Sequence, residues 1–235
     1  MNKTNSVRID YFSDVLCIWA YVAQVRLDEL RHAYHEQVVV HHRFIPLFGH
    51  TGHRIGVGWQ DKGGFTGFGQ HIHKVCSQFP HVEVNEALWC EQPPCSSAPA
   101  HHFLKAVQLL ERQGEIASEC LPHCQDRTRF EETAWQVRLA FFRDNRRVDR
   151  RQELLAIAEE CELPVAAIEA LLDNGQAMAA LMRDIERRDE YRIEGSPTYL
   201  LNEGRQKLYG NIGYRILEAN VREVLERSDT QASWC

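Results

Sequence analysis

The stretch "DYFSDVLCIWAYVAQVRLDEL", residues 10–30, joins a run of β-branched and aromatic residues to a helical pattern through a short acidic turn and a cysteine. The hydrophobic period changes at that cysteine. Upstream, residues 7–12 alternate and are rich in strand formers, which predicts a strand. Downstream, Leu16, Ala20, Ala23, Leu27, Leu30 and Tyr34 recur at i, i+4, i+7, i+11, i+14 and i+18, one face of a helix. Residues 38–44 read as a second strand, ended by Pro46. Strand, helix and strand at this spacing form a βαβ unit, whose two strands should be parallel.

Strand character returns only near the other end. "PTYLLNEGRQKLYG", residues 197–210, is two short apolar runs around Asn202, Glu203 and Gly204, a hairpin signal. A last helix follows, with Ile216, Leu217, Asn220, Val221, Val224 and Leu225 expected on its inner face. The intervening residues from about 98 to 192 carry helical periodicity, with Pro at helix starts and Gly at helix ends. Residues 49–69 are rich in Gly and aromatics and read as a long loop, a kind of segment that is usually functional or disordered. The expected fold is therefore α/β: a βαβ unit (1–47) and a ββα unit (193–230) sharing one sheet, with an α-helical domain (48–192) inserted between them.

The chain has 235 residues, 44% of them hydrophobic, enough for a proper core without disulfide staples. Its formal charge is -6 and no cluster of Lys and Arg stands out, so nucleic acid is not an expected partner. The Arg-rich residues 143–153 are interrupted by Asp and Asn and read as a solvated helix junction. The N-terminal residues lack the apolar core of a signal peptide, and no apolar run has the length of a membrane span. The expectation is a cytoplasmic protein without membrane partners, whose eight cysteines are thiols, ligands or catalysts rather than a disulfide framework.

Cys17 falls where the first helix begins. Unpaired N–H groups and the helix dipole favour a thiolate there, so the pKa of Cys17 is expected to be lowered and its sulfur to be a nucleophile. The competing reading is a buried cysteine acting as a small apolar filler. Two features favour the nucleophile: the turn from Ser13 to Leu16, with Trp19 just beyond the cysteine, and the sequence Gly195-Ser196-Pro197-Thr198 before a strand. Proline at a strand start needs a positional reason. A cis Ser196–Pro197 bond would give one, and would leave the backbone of Ser196 free to meet an extended peptide or glutathione.

Together these segments resemble the DsbA-like thioredoxin superfamily. The first strand, turn and helix, and the region from about residue 149 to the last helix, carry the likeness; the middle of the chain matches less specifically. The resemblance implies a thioredoxin-like fold with an inserted helical domain, Cys17 as the attacking sulfur, and Pro197 as the cis proline facing it. It also exposes a departure. The usual turn ends in a second, resolving cysteine, whereas here Cys17, Ile18 and Trp19 are followed by Ala20. One thiol can attack a disulfide, but the mixed disulfide must then be resolved from outside, by glutathione or another thiol.

Two glutathione-using relatives in the same superfamily, the kappa-class glutathione transferases and the 2-hydroxychromene-2-carboxylate isomerases, carry Ser at the position of Cys17. Resemblance to them places glutathione across Ser196 and Pro197, with its γ-glutamyl carboxylate near Asn211 and Ile212 at the start of the last helix. The expected function is a single-thiol, glutathione-using thiol–disulfide oxidoreductase with Cys17 as catalyst and Asp14, Ile18, Trp19 and Ala20 shaping its turn. A glutathione-dependent isomerase or transferase is the alternative, and a non-catalytic binding protein a second one. A homodimer stays open.

Other clusters were weighed against plainer readings. Cys120, His123 and Cys124, with His71, His73 and Cys76, have zinc-like spacing, yet a loop setting and a Pro argue against it, so no metal is expected. Cys95, in a Pro-rich loop, is a candidate distant resolving thiol, and Cys90 and Cys95 a candidate local disulfide. Trp59, Phe65 and Phe68 either line a substrate groove or pack their own loop. His41 and His42 should point to opposite faces of their strand.

Overall fold

The computed structural model describes residues 6–121 and 124–226. The outermost residues of the expected β-units, His123 of the zinc-like cluster and the terminal Cys235 lie outside the described residues.

Strand β1 (Val7–Ser13) is central, and both of its faces are buried. It pairs in parallel with β2 (Val38–Phe44), in a register running from Val7 opposite Val38 to Ser13 opposite Phe44. The crossover between them is helix α1 (Ile18–Tyr34). On its other side β1 pairs antiparallel with β3 (Thr198–Leu201), which pairs antiparallel with β4 (Gln206–Tyr209). The sheet order is β2-β1-β3-β4. Period-two alternation puts Val7, Ile9 and Tyr11 on the face covered by Leu27 and Leu30 of α1 and by Leu217, Val221 and Val224 of the last helix, α8 (Tyr214–Glu226). Ile216 does not join them; it is 54% exposed. An i, i+4, i+7 stripe already fills the contact with the sheet, so a residue one position off the stripe turns outward.

Between β2 and β3 lie α2 (Gly64–Cys76), α3 (Ala98–Gln113), α4 (Arg129–Phe142), α5 (Arg151–Glu160), α6 (Val165–Asp173) and α7 (Gln176–Glu190). The cap of α4 is a capping box, with the Thr128 hydroxyl accepting from Glu131 N–H and the Glu131 carboxylate accepting from Thr128 N–H. The expected loop at 49–69 is largely helical: a π-helical turn spans Gly52–Val57, a 3₁₀ turn spans Gln60–Lys62, and α2 begins at Gly64. Apolar side chains explain the difference. Ile55 is buried in the main core and Phe68 packs against Phe48 and Trp89, and that burial outweighs the glycines' weak helix propensity. Some of the glycines mark close backbone approach instead. A Cβ on Gly67 would stand 1.7 Å from the Lys62 carbonyl oxygen.

The edge strand β2 is tied to the helices by buried charge. Asp184 of α7, fully buried, accepts from the Phe44 N–H (3.0 Å), from Arg43 (3.2 Å) and from Lys105 of α3 (2.8 Å). Lower on the same strand, His42 Nε2 stands 3.3 Å from the Glu131 carboxylate, which also binds Arg31. Burial alone would raise Glu131, but the hydrogen bond from His42 and the charge of Arg31 bring it down to about 2. Burial pushes His42 below the ordinary imidazole value. Both folded values are depressed, so the unfolded chain binds more protons in acid. The Glu131 contribution is complete above its ordinary value of 4.5 and is lost as pH falls toward about 2. We expect Glu131→Gln to cost roughly 3 kcal/mol at neutral pH and progressively less in acid. Urea titrations at three pH values check this; a cost that stays constant with pH would contradict it.

Candidate active site

The βαβ crossover leaves β1 at Ser13 and starts α1 at Ile18, so the four residues between them must turn sharply at the carboxyl end of the central strand. Asp14 holds that turn. Its carboxylate is fully buried and accepts from Leu16 N–H (2.8 Å), Phe48 N–H (2.8 Å) and the Ser97 hydroxyl (2.7 Å). His101 of α3 approaches it at 3.5 Å, and Val15 N–H donates to His101 Nε2 (3.1 Å). Burial alone would raise the Asp14 carboxyl, but His101 and the N–H groups of Phe48 and Leu16 hold it below the usual carboxylate range. Asp14 thus pins the turn to the segment after β2 and to the start of α3.

Cys17 is the N-cap residue of α1, with extended backbone (φ -80°, ψ 115°). Its thiol donates to the Ser196 carbonyl oxygen at 3.2 Å. The Ser196 hydroxyl in turn accepts from Asp14 N–H at 3.0 Å, so the turn and the strand-start loop are clasped from both sides. The Ser196–Pro197 peptide is cis. Gly195 permits this approach: a Cβ there would fall 2.4 Å from the Tyr209 ring.

The sequence-based expectation for the acidity of Cys17 is corrected. Only 6% of the residue is exposed, and burial pushes the thiol above the ordinary cysteine value. Contacts with Ser196 and with the N–H groups of Ala20 and Trp19 act in the opposite direction, and the nearby Asp14 carboxylate adds to the rise. A helix start lowers a thiol pKa when its N–H groups outweigh desolvation; here desolvation wins. Alkylation of Cys17 is therefore expected to keep accelerating past pH 9 rather than level off at neutral pH. A pH–rate profile read by mass spectrometry of the Cys17 peptide checks this, and a plateau below pH 8 would refute it.

Cys17 opens into a cavity of about 450 Å³. Ile18 and Trp19 of the turn, Trp59 and Phe68 of the former "loop", and Ser196 and Tyr209 of the second β-unit line it. Trp59 and Phe68 do both things weighed for them: they pack edge-to-face at 5.0 Å and also form cavity wall. Phe65 packs on Trp89. Ala20, where a resolving cysteine would stand, is fully buried. Among the described residues no second cysteine lines this cavity. Cys95 is a free, exposed thiol whose N–H is bound by Asp149, and Cys90 is also free.

Asn211 and Ile212 lie before α8 and off the cavity wall; Asn211 accepts from Arg26, and Ile212 packs on the sheet core. His42 faces Glu131, and neither it nor His41 lines the cavity. Among the described residues no group of three or more His, Cys, Asp or Glu side chains is placed to hold a metal ion. No helix among them is long and apolar enough to cross a membrane.

Sequence reading missed Ser97, His101, Arg54 and Tyr209. Ser97 and His101 stand four apart at the start of α3, a spacing that puts them on one face, but nothing local says that this face meets Asp14. Arg54 and Tyr209 carry no sequence signal at all.

A family model described as the DSBA-like thioredoxin domain matches residues 8–222. No curated protein matches the chain. Among solved structures, the chain is similar to a "putative protein disulfide isomerase" from Nitrosomonas europaea, at 15% identity over 94% of this chain and 98% of that one, with a TM-score of 0.72. It is similar to the cytosolic disulfide reductase DsbM from Pseudomonas aeruginosa, at 19% identity over 92% and 98% of the two chains (TM-score 0.60), a protein also solved with GSH. A 2-hydroxychromene-2-carboxylate isomerase matches at 15% identity over 92% and 95% of the chains, with a TM-score of 0.59. At these identities the structures share a fold with this chain.

Proposed function

Because the chain belongs to the family of DSBA-like thioredoxin domains, whose members include oxidoreductases, we propose that it is a single-thiol, glutathione-dependent disulfide reductase. One observation carries this reading: Cys17 faces Ser196 in a cavity with no second cysteine on its wall among the described residues, and a buried methyl group stands where self-resolution would require sulfur.

In the proposed cycle the Cys17 thiolate attacks a disulfide sulfur, forming a mixed disulfide and releasing the other half as a thiolate. Glutathione then attacks the Cys17 sulfur of the mixed disulfide, expelling the second substrate half as a thiol and leaving a Cys17–glutathione disulfide. A second glutathione attacks the glutathionyl sulfur, returning Cys17 to the thiol with formation of oxidised glutathione. The Ser196 carbonyl, now occupied by the Cys17 S–H, and the adjoining backbone would hold the incoming thiol. The γ-glutamyl carboxylate would lie toward Asn211 and Ile212, where Arg26 adds a cation.

The raised thiol pKa supports the reducing direction. Strong oxidants of this fold class owe their potential to a stabilised thiolate, which favours the reduced form. A thiol held up by burial has no such stabilisation, so its disulfide is not destabilised. A cytoplasmic location, where glutathione is kept reduced, belongs to the same proposal.

Incubation with oxidised glutathione, followed by intact-mass and peptide mass spectrometry, tests it. One glutathione adduct on Cys17, removed by reduced glutathione, is the expected result. A Cys17–Cys95 disulfide, or no modification of Cys17, would overturn it. The aromatic wall favours a second reading, a glutathione-dependent isomerase or transferase, which predicts activity that survives Cys17→Ser.

A further inference from the structure

The outer wall of the Cys17 cavity is aromatic and carries positive charge. Trp59 and Phe68 form it together with Phe48 and Trp19. The Arg54 guanidinium, itself on the wall, lies 4.9 Å from the Phe48 ring centroid, and the Lys62 ammonium, which stands behind the wall, lies 5.1 Å from that of Trp59. Both cations come from the two short helical turns that replace the expected loop. Each rests on a ring, and neither forms an ion pair with a carboxylate of the described residues. Glu194, the one carboxylate on the wall among the described residues, stands beside Gly195 and makes no ion pair with Arg54. The thiol chemistry at Ser196 needs none of these groups.

We propose that this wall is a recognition subsite for a small disulfide substrate bearing an aromatic ring and a carboxylate. The inference rests on the thiol reading of Cys17 and names the substrate class for that same site. A cavity of about 450 Å³ is sized for a small molecule rather than a folded protein segment. The rings present flat apolar surface to the substrate ring. They also keep water from one side of each cation, which strengthens its pull on a carboxylate. The reaction balances: the aromatic disulfide takes two electrons from two molecules of glutathione, giving two aromatic thiols and one oxidised glutathione, with one half leaving at the first attack and Cys17 carrying the other half and then a glutathionyl group.

Two reagents separate the charge from the chemistry. Dithiobis(nitrobenzoate) is an aromatic disulfide with two carboxylates; dithiodipyridine is an aromatic disulfide with none. Rates at Cys17 are read by quenched mass spectrometry of its peptide, because the chain has eight cysteines. In Arg54→Gln/Lys62→Gln the ratio of the first rate to the second is expected to fall about tenfold, and added salt should lower the same ratio in the unaltered protein. Dithiodipyridine also reports whether the variant is folded around Cys17. A ratio unchanged by both substitutions and by salt overturns the subsite while leaving the thiol reading in place. A Cys17 that reacts with neither reagent in the unaltered protein overturns both.

Discussion

Cys17→Ser should lose glutathione-dependent disulfide reduction by roughly a thousandfold or more, because a hydroxyl cannot form the mixed disulfide on which the cycle depends. No neighbouring thiol can substitute, since Cys17 is the one cysteine on the cavity wall among the described residues. The assay follows reduction of a small disulfide by glutathione, with oxidised glutathione read through coupled consumption of a nicotinamide cofactor. Retention of disulfide reduction by the variant would sink the proposal. Retention of an isomerase or transferase activity alone would move the assignment to the second reading.

Ala20→Cys is the complementary test. It places one sulfur in a position now filled by a methyl group, three residues along the same helical turn. A self-resolving pair should then form, and the glutathione adduct on Cys17 should give way to an internal disulfide.

The parts of this protein that were readable from sequence are those set by local periodicity. β1, α1 and β2 announce themselves because alternation switches to a helical stripe at one cysteine, and short crossovers admit one handed arrangement. The hairpin from β3 to β4 follows from two apolar runs around Asn202, Glu203 and Gly204. Two kinds of feature stayed hidden. The first is burial that overrides propensity: residues 49–69 read as a loop because of their glycines, yet Ile55 and Phe68 bury enough apolar surface to hold helical turns. The second is any property set by distant partners. The acidity of Cys17 was misjudged because its helix position is local, whereas the desolvation that decides it comes from burial in the folded chain. Asp14 was legible as part of a turn, but its partners Phe48, Ser97 and His101 lie 34 to 87 positions away in sequence.

Asp184 shows the same limit at its most consequential. In sequence it is one carboxylate within "MRDIERRDE", indistinguishable from a solvated helix face. In the fold it is fully buried and satisfies three donors from two other elements: the Phe44 N–H, Arg43 and Lys105. β2 is an edge strand, so the Phe44 N–H has no strand partner on that side, and Asp184 takes that role. Lys105 is 1% exposed; without Asp184 its ammonium keeps only the Gln108 side chain.

Removing one member of such a buried pair leaves a desolvated charge behind, which costs about 3–5 kcal/mol. Asp184→Ala is therefore expected to shift the urea midpoint sharply downward with little change in slope. The pairing argument makes a further demand. Asp184→Leu combined with Lys105→Met removes both charges and should recover a large part of the loss, because paired apolar side chains need no counter-charge. Arg43 retains Asp10 as a partner in that variant, so its own charge is not stranded. If Asp184→Ala costs under about 1 kcal/mol, or the double replacement is no better than Asp184→Ala, then α7 is held to β2 by apolar packing and the ionic link is incidental.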